Sequence, residues 1–169
     1  MARPQPGDYA AYYETYVGKV NGDSVAAIID SYSTALMNFY SNLPESKGDY
    51  RYAEGKWTVK ELFQHVIDTE RIFSYRALRI ARADQTALAS FDENAYAASS
   101  DAANRSMQSL RDEFAAVRRS TDIMLSSFSD RQLSQRGTAS NQAVTVNALA
   151  FIMFGHLVHH KQVLEERYL

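Results

Sequence analysis

Cysteine is absent from the chain, and with it disulfides, thiolate metal ligands and a cysteine nucleophile. Charge of one sign is scarce as well. Lys and Arg number 18 against 20 Asp and Glu, a formal charge of −2 with no long run of either sign, which excludes the basic stripe of a nucleic-acid surface. The first residues, MARPQPGDYAAYYETY, show neither a basic region followed by an apolar core nor a cleavage site, so a cytoplasmic protein is expected. The most apolar run, around Phe151, is too short and too interrupted by histidine to cross a bilayer. Strand-like alternation of useful length is missing, as is any internal repeat.

What is present is helical periodicity. At 169 residues the chain suits one domain, long enough to bury roughly 70% of its unfolded surface. Residues 1–22 hold Pro4 and Pro6 with Tyr9, Tyr12, Tyr13 and Tyr16, and read as an arm that lies on the body through its rings. From Asp23, a candidate N-cap, Val25, Ile28, Ile29, Tyr32, Leu36, Phe39 and Leu43 recur at helical spacing until Pro44. Thr58 and Glu61 form a T-x-x-E capping box before a second helix, with Leu62, His65, Val66, Thr69, Ile72, Phe73 and Ile80 on its inward stripe. Arg76 falls on that stripe, a place that demands an anionic partner or a cavity. Glu70, Arg71, Arg79 and Arg82 are expected on its flanks and outer face. Residues 83–100 read as a connection long enough to cross the bundle, and such connections often serve as covers. A third helix is expected from near Ser100 or Asp101 through Phe128, and a fourth from about Thr145. The expected fold is all-α: a four-helix bundle with long crossover connections.

The last helix, TVNALAFIMFGHLVHHKQVLEERYL, carries His156 and His160 one turn apart on the face of Leu149, Ile152, Met153, Val163 and Leu164. Two imidazoles on an apolar stripe need partners. An i, i+4 pair with one histidine from another helix is a standard way to make three corners of a tetrahedron with the fourth left open. His65 is the remaining histidine expected to face inward. His159 is an alternative to His160, but its direction lies about 60° off the stripe, which suits a rim or supporting group. Buried histidines that only hydrogen-bond within the core stand as the competing reading. Asp68 and Glu61, one turn either side of His65, are candidates to accept its other ring N–H. Trp57, beside the capping box, reads as a hydrophobic staple or an interface residue.

The ordered pattern Tyr52-x-x-Gly-Lys-Trp-Thr-x-x-Glu-x-x-x-His65, then Gly155-His156-x-x-x-His160, resembles the DinB/YfiT-like superfamily of metalloenzymes. DTERIFSYRALRIARAD, the FDENAY segment and the closing ERYL extend the likeness over nearly the whole chain. The resemblance implies a four-helix bundle whose divalent transition metal is held by His65, His156 and His160, with Zn or Ni first and Fe or Mn also compatible. The reaction implied by the same resemblance is transfer of a low-molecular-weight thiol to a small-molecule substrate, the sulfur arriving with the cosubstrate and Arg76 and Arg79 pairing with its carboxylates. In the hydrolase variant of the superfamily, Asp68, Glu61 or Glu93 would shuttle the proton. A metal-binding stress-response protein without turnover is the non-enzymatic alternative. The surface aromatics are compatible with a homodimer.

Overall fold

The computed structural model describes Met1–Leu169. Its helices are α1 (Glu14–Val17), α2 (Val25–Ser41), α3 (Val59–Ala81), α4 (Glu93–Ser99), α5 (Met107–Ser126), α6 (Asp130–Leu133) and α7 (Val146–Arg167). Between α6 and α7 stands a hairpin of β1 (Arg136–Ala139) and β2 (Gln142–Thr145), paired from Arg136↔Thr145 to Ala139↔Gln142.

The long helices α2, α3, α5 and α7 form a four-helix bundle. Close packing joins α3 to α7, α2 to α5, α3 to α5 and α2 to α7, so helices consecutive in the chain do not all lie side by side. Around the square the order is α2, α5, α3, α7, with α2 diagonal to α3 and α5 diagonal to α7. Contacts along each seam give the directions. Lys60 reaches the Ala103 carbonyl, Arg71 pairs with Glu113, and Arg82 covers Phe128, so α3 and α5 run parallel. Tyr168 donates to the Trp57 carbonyl while Ile80 packs on Gly137, so α3 and α7 run antiparallel. Two parallel neighbours force the chain of residues 82–106 back along a helix about 34 Å long. That segment therefore travels lengthwise down the bundle.

The helix termini follow their sequences. Thr58 Oγ1 accepts from the Glu61 amide at 3.2 Å and Glu61 accepts from the Thr58 amide at 2.7 Å, closing the expected capping box. Ser24, not Asp23, caps α2, and α2 ends at Ser41 just before Pro44. The third long helix begins at Met107 with Ser106 as its cap, later than the expected start near Ser100. The intervening chain spends residues on α4, capped by Asp92, and on a left-handed turn at Asp101. The hairpin corrects the expectation of no strands. Ser140 and Asn141, both at positive φ, make the two-residue turn whose twist matches paired strands.

The core is built from the inward stripes, with Phe63, Phe114, Phe151, Phe154, Tyr40 and Ile67 fully buried. Glu70 departs from expectation: it is buried, 2.6 Å from Arg118 Nη1, while Arg118 Nη2 donates to Asp122 at 2.6 Å. Arg118, itself 0% exposed, lies 4.5 Å from the centre of the Phe154 ring. The outward position expected for Glu70 is reversed because α5 supplies a buried cation against that flank of α3.

The N-terminal arm lies on the bundle. Arg3 donates to the carbonyls of Val17 and Val20 and stacks on Phe151, and α1 packs against α7. At the contact, a Cβ on Gly155 would stand 2.1 Å from the Tyr16 carbonyl oxygen. Only glycine permits this approach. No helix is long and apolar enough to cross a membrane.

Candidate metal centre

His65 projects from the second turn of α3, and His156 and His160 from successive turns of the middle of α7. Antiparallel packing of the two helices brings them together across 91 residues of sequence. His156 Nε2 lies 3.1 Å from His65 Nε2 and 3.0 Å from His160 Nε2, and one nitrogen from each of the three fits within a 4.8 Å span. All three are buried, at 9%, 5% and 9% exposure in chain order.

Their electrostatics follow from burial. Desolvation, helped by His159, pushes His65 from 6.5 down to about 4. Burial and then the neighbouring imidazoles push His156 and His160 well below the ordinary histidine value. The cluster is therefore neutral near pH 7, with nitrogen lone pairs free to bind. Two of the three N–N contacts share His156 Nε2, and His160 Nδ1 is buried without a partner. A neutral His156 Nε2 has either one N–H or one lone pair and so makes one good N–H···N bond, whereas two ring nitrogens crowd it, an arrangement that suits a cation at their focus. Three neutral imidazoles fit a divalent transition metal and leave coordination places open.

The three rings open on a cavity of about 240 Å³, walled also by Tyr12, Tyr13, Tyr16, Trp57, Phe73 and Phe91, with Thr69, Arg76, Glu93 and Ser140 as its other polar groups. Each covering segment brings part of the wall: the arm its tyrosines, the 82–106 segment Phe91 and Glu93, and the hairpin turn Ser140. Tyr16 sits edge-on to His156 and His159, with centroids at 5.5 and 5.6 Å. Burial and the Tyr12 hydroxyl raise the Tyr16 phenol, so it stays protonated. Trp57, expected as a staple or an interface residue, stands 4.9 Å from His65 and forms part of the wall.

Arg76 is 2% exposed and reaches the cavity, the alternative left to it by its place on the stripe. Its Nη2 donates to the Ala89 carbonyl at 2.6 Å and to Ser140 Oγ at 3.0 Å, and the guanidinium lies over Phe73 and Phe91. No carboxylate pairs with it. Arg79 does not share this place: it pairs with Asp84 and the Tyr75 hydroxyl on the outer side of α3. Glu93 lines the cavity, whereas the other two acids do not. Asp68 accepts from Gln64 at 2.9 Å, and Glu61 is occupied by the capping box, so neither takes the His65 N–H. His159, half-buried, packs on Tyr16 and His160 outside the cluster. The sequence did not announce Tyr12, Tyr13, Tyr16 or Ser140 as wall, and the one signal pointing there was Gly155 beside His156, a mark of close backbone approach.

A sequence model of the DinB superfamily matches residues 32–164. The chain belongs to the DinB superfamily. Among solved structures it is similar to YfiT from Bacillus subtilis, described as a probable metal-dependent hydrolase with an unusual four-helix bundle topology. The TM-score is 0.68 at 17% identity, over 98% of this chain and 92% of that one, a likeness that shows the fold. No curated protein matches. For this member of the DinB superfamily, the parallel α3–α5 pair and the diagonal connections are the departure from a simple up-and-down bundle.

Proposed function

We propose that this chain is a metal-dependent enzyme that transfers a low-molecular-weight thiol to an electrophilic small molecule. The observation that carries the reading is the convergence of three neutral imidazoles on a cavity that also holds a buried guanidinium without a carboxylate. His65, His156 and His160 would hold the ion through Nε2. Zinc or nickel there, with iron or manganese as alternatives, supplies the Lewis acidity that lowers the pKa of a bound thiol. The thiol sulfur bonds to the electrophilic carbon, the leaving group departs with its bonding pair, and the thiol proton passes to solvent.

This chain's own residues bind and shelter the reactants. Arg76 pairs with a carboxylate of the thiol, and its fixed Nη2 contacts keep the guanidinium in place before the ligand arrives. The aromatic walls exclude water that would compete with sulfur. A second reading, hydrolysis, is favoured by Glu93, the one carboxylate in the cavity, which would take a proton from an attacking water. YfiT, the structural relative, carries the description of a probable hydrolase, which supports that alternative.

The test is element-resolved metal content of the purified protein beside a His65→Ala variant, followed by loss of 1-chloro-2,4-dinitrobenzene with and without a panel of small thiols. Near one equivalent of transition metal that falls sharply in the variant, and saturable thiol-dependent loss of the electrophile, are expected. Thiol-independent ester hydrolysis would move the assignment to the second reading. Metal without turnover would leave a binding protein, and no metal after reloading with Zn and Ni would end the enzyme reading.

A further inference from the structure

Of the asparagines in the chain, Asn21 is the one followed by glycine. The pair stands in the loop between α1 and α2, where the arm joins the bundle, and Asn21 is exposed. The Asn21 side chain makes no hydrogen bond and neither does the Gly22 amide, although the Asn21 amide donates to the Tyr32 hydroxyl at 2.8 Å. Gly22 has a φ of 151°, and a Cβ there would stand 2.8 Å from Ile28 Cγ2, so the fold demands glycine at this place. The demand leaves the Gly22 nitrogen unscreened beside a free carboxamide. After every other asparagine the next residue carries a side chain: Phe39, Leu43, Ala95, Arg105, Gln142 and Ala148.

We infer that Asn21 is a site of spontaneous deamidation, and that its isoaspartyl product loosens the arm over the metal cavity. The Gly22 nitrogen, giving up its proton to solvent base, bonds to the Asn21 side-chain carbonyl carbon, and ammonia leaves from that carbon. The succinimide ring so formed adds water at one of its two carbonyls. Opening at the side-chain carbonyl gives aspartate; opening at the main-chain carbonyl gives isoaspartate, whose backbone runs through the former side chain and is one carbon longer. Either product exchanges an amide for a carboxylate and adds a negative charge. The longer backbone acts on a segment held at both ends. Gly22 is seated against Ile28 and Ala27 of α2, while Arg3 donates to the Val17 carbonyl at 2.6 Å and to the Val20 carbonyl, and reaches the Gly22 carbonyl at 3.4 Å. An extra carbon between Val20 and Gly22 breaks this common hold, and the arm fixed by it carries Tyr12, Tyr13 and Tyr16 into the cavity wall. The inference stands on the loop and is independent of the proposed reaction.

The parent protein and Asn21→Gln, whose longer side chain disfavours the ring, are incubated folded at alkaline pH and cut with trypsin. In the parent, the peptide Val20–Lys47 is expected to gain an acidic group and to accept methyl label from an isoaspartyl methyltransferase, more so at higher pH, with fragmentation placing the change at residue 21. The gain should be lost in Asn21→Gln. Hydrogen exchange then compares the aged parent with freshly made Asn21→Asp, which carries the added charge on an unaltered backbone. Residues 12–18 are expected to exchange faster in the aged parent. No conversion at residue 21, or conversion spread alike over Asn38 and Asn42 of the same peptide, overturns the inference. Conversion at residue 21 with exchange at 12–18 equal to that of Asn21→Asp overturns its consequence for the arm.

Discussion

Two polar clusters lie buried against helix α3, on neighbouring faces, and they are built differently. On the α5 side, Glu70, Arg118 and Asp122 close on one another, with both Arg118 contacts at 2.6 Å and the Phe154 ring beneath the guanidinium. On the α7 side, His65, His156 and His160 face a cavity, with Thr69 Oγ1 and His160 Nδ1 left without partners. The first cluster sets one guanidinium between two carboxylates. The second keeps its charge near zero and leaves its bonding capacity unspent. Burial is common to both, and so are buried atoms without a hydrogen-bond partner, Glu70 Oε1 and Arg118 Nε among them; what separates the two is that one holds an ion pair inside the core and the other opens on a cavity.

The comparison is broken most forcefully at the closed cluster. Arg118→Ala leaves the Glu70 carboxylate alone in the core and should cost about 3–5 kcal/mol of stability, read as a large fall in thermal midpoint. Metal stoichiometry should stay at the parental value. His65→Ala should do the reverse, losing metal while the metal-free fold keeps most of its stability. A variant that moved both quantities together would merge the two clusters into one.

Several of these features were legible in the residues and several were not. The capping box at Thr58 and Glu61, the i, i+4 histidines and the anomalous Arg76 are local patterns, and helix periodicity is enough to place them. Glu70 was read as surface because its partner Arg118 lies on another helix, and no local pattern reports a buried cation across a seam. The hairpin escaped because its strands are four residues each, too short for alternation, and its turn uses Ser140–Asn141 rather than the Asn-Gly that usually signals one. Arg76 and Arg79 look alike in sequence, yet a separation of three residues carries one into the cavity and the other to Asp84.

A subtler break is Gly155→Ala. The added Cβ, 2.1 Å from the Tyr16 carbonyl, must push the arm outward, at a cost of about 1–3 kcal/mol. The three-histidine site should still load metal, while the arm tyrosines that wall the cavity become accessible, measured as faster hydrogen exchange at residues 12–18.

The smallest effect sharpens the contrast through pH. Depressed histidines mean that the unfolded chain binds more protons than the fold between pH 6.5 and about 4 for His65, and lower still for His156 and His160. Stability of the metal-free protein is therefore full above about 6.5 and falls as pH drops, all three histidines acting in the same direction. Glu70 acts in the opposite sense: burial raises its carboxyl, so acid does not weaken that cluster through this group. Metal affinity should decline over the same interval, because protons compete for the imidazoles. Denaturant midpoints at pH 7.5, 6 and 5, with and without added zinc, check both slopes.

The arrangement of the long helices also sets an order of events during synthesis. His65 emerges from the ribosome long before His156 and His160, and the arm that roofs the cavity emerges earlier still, yet its docking site around Gly155 lies on α7. A nascent chain ending before α7 can offer a metal no more than one of the three imidazoles. Contacts of such sequence separation are closed late and slowly. Ion capture is thereby deferred until the last long helix has been made, and incomplete chains are left without a competent trap for scarce metal.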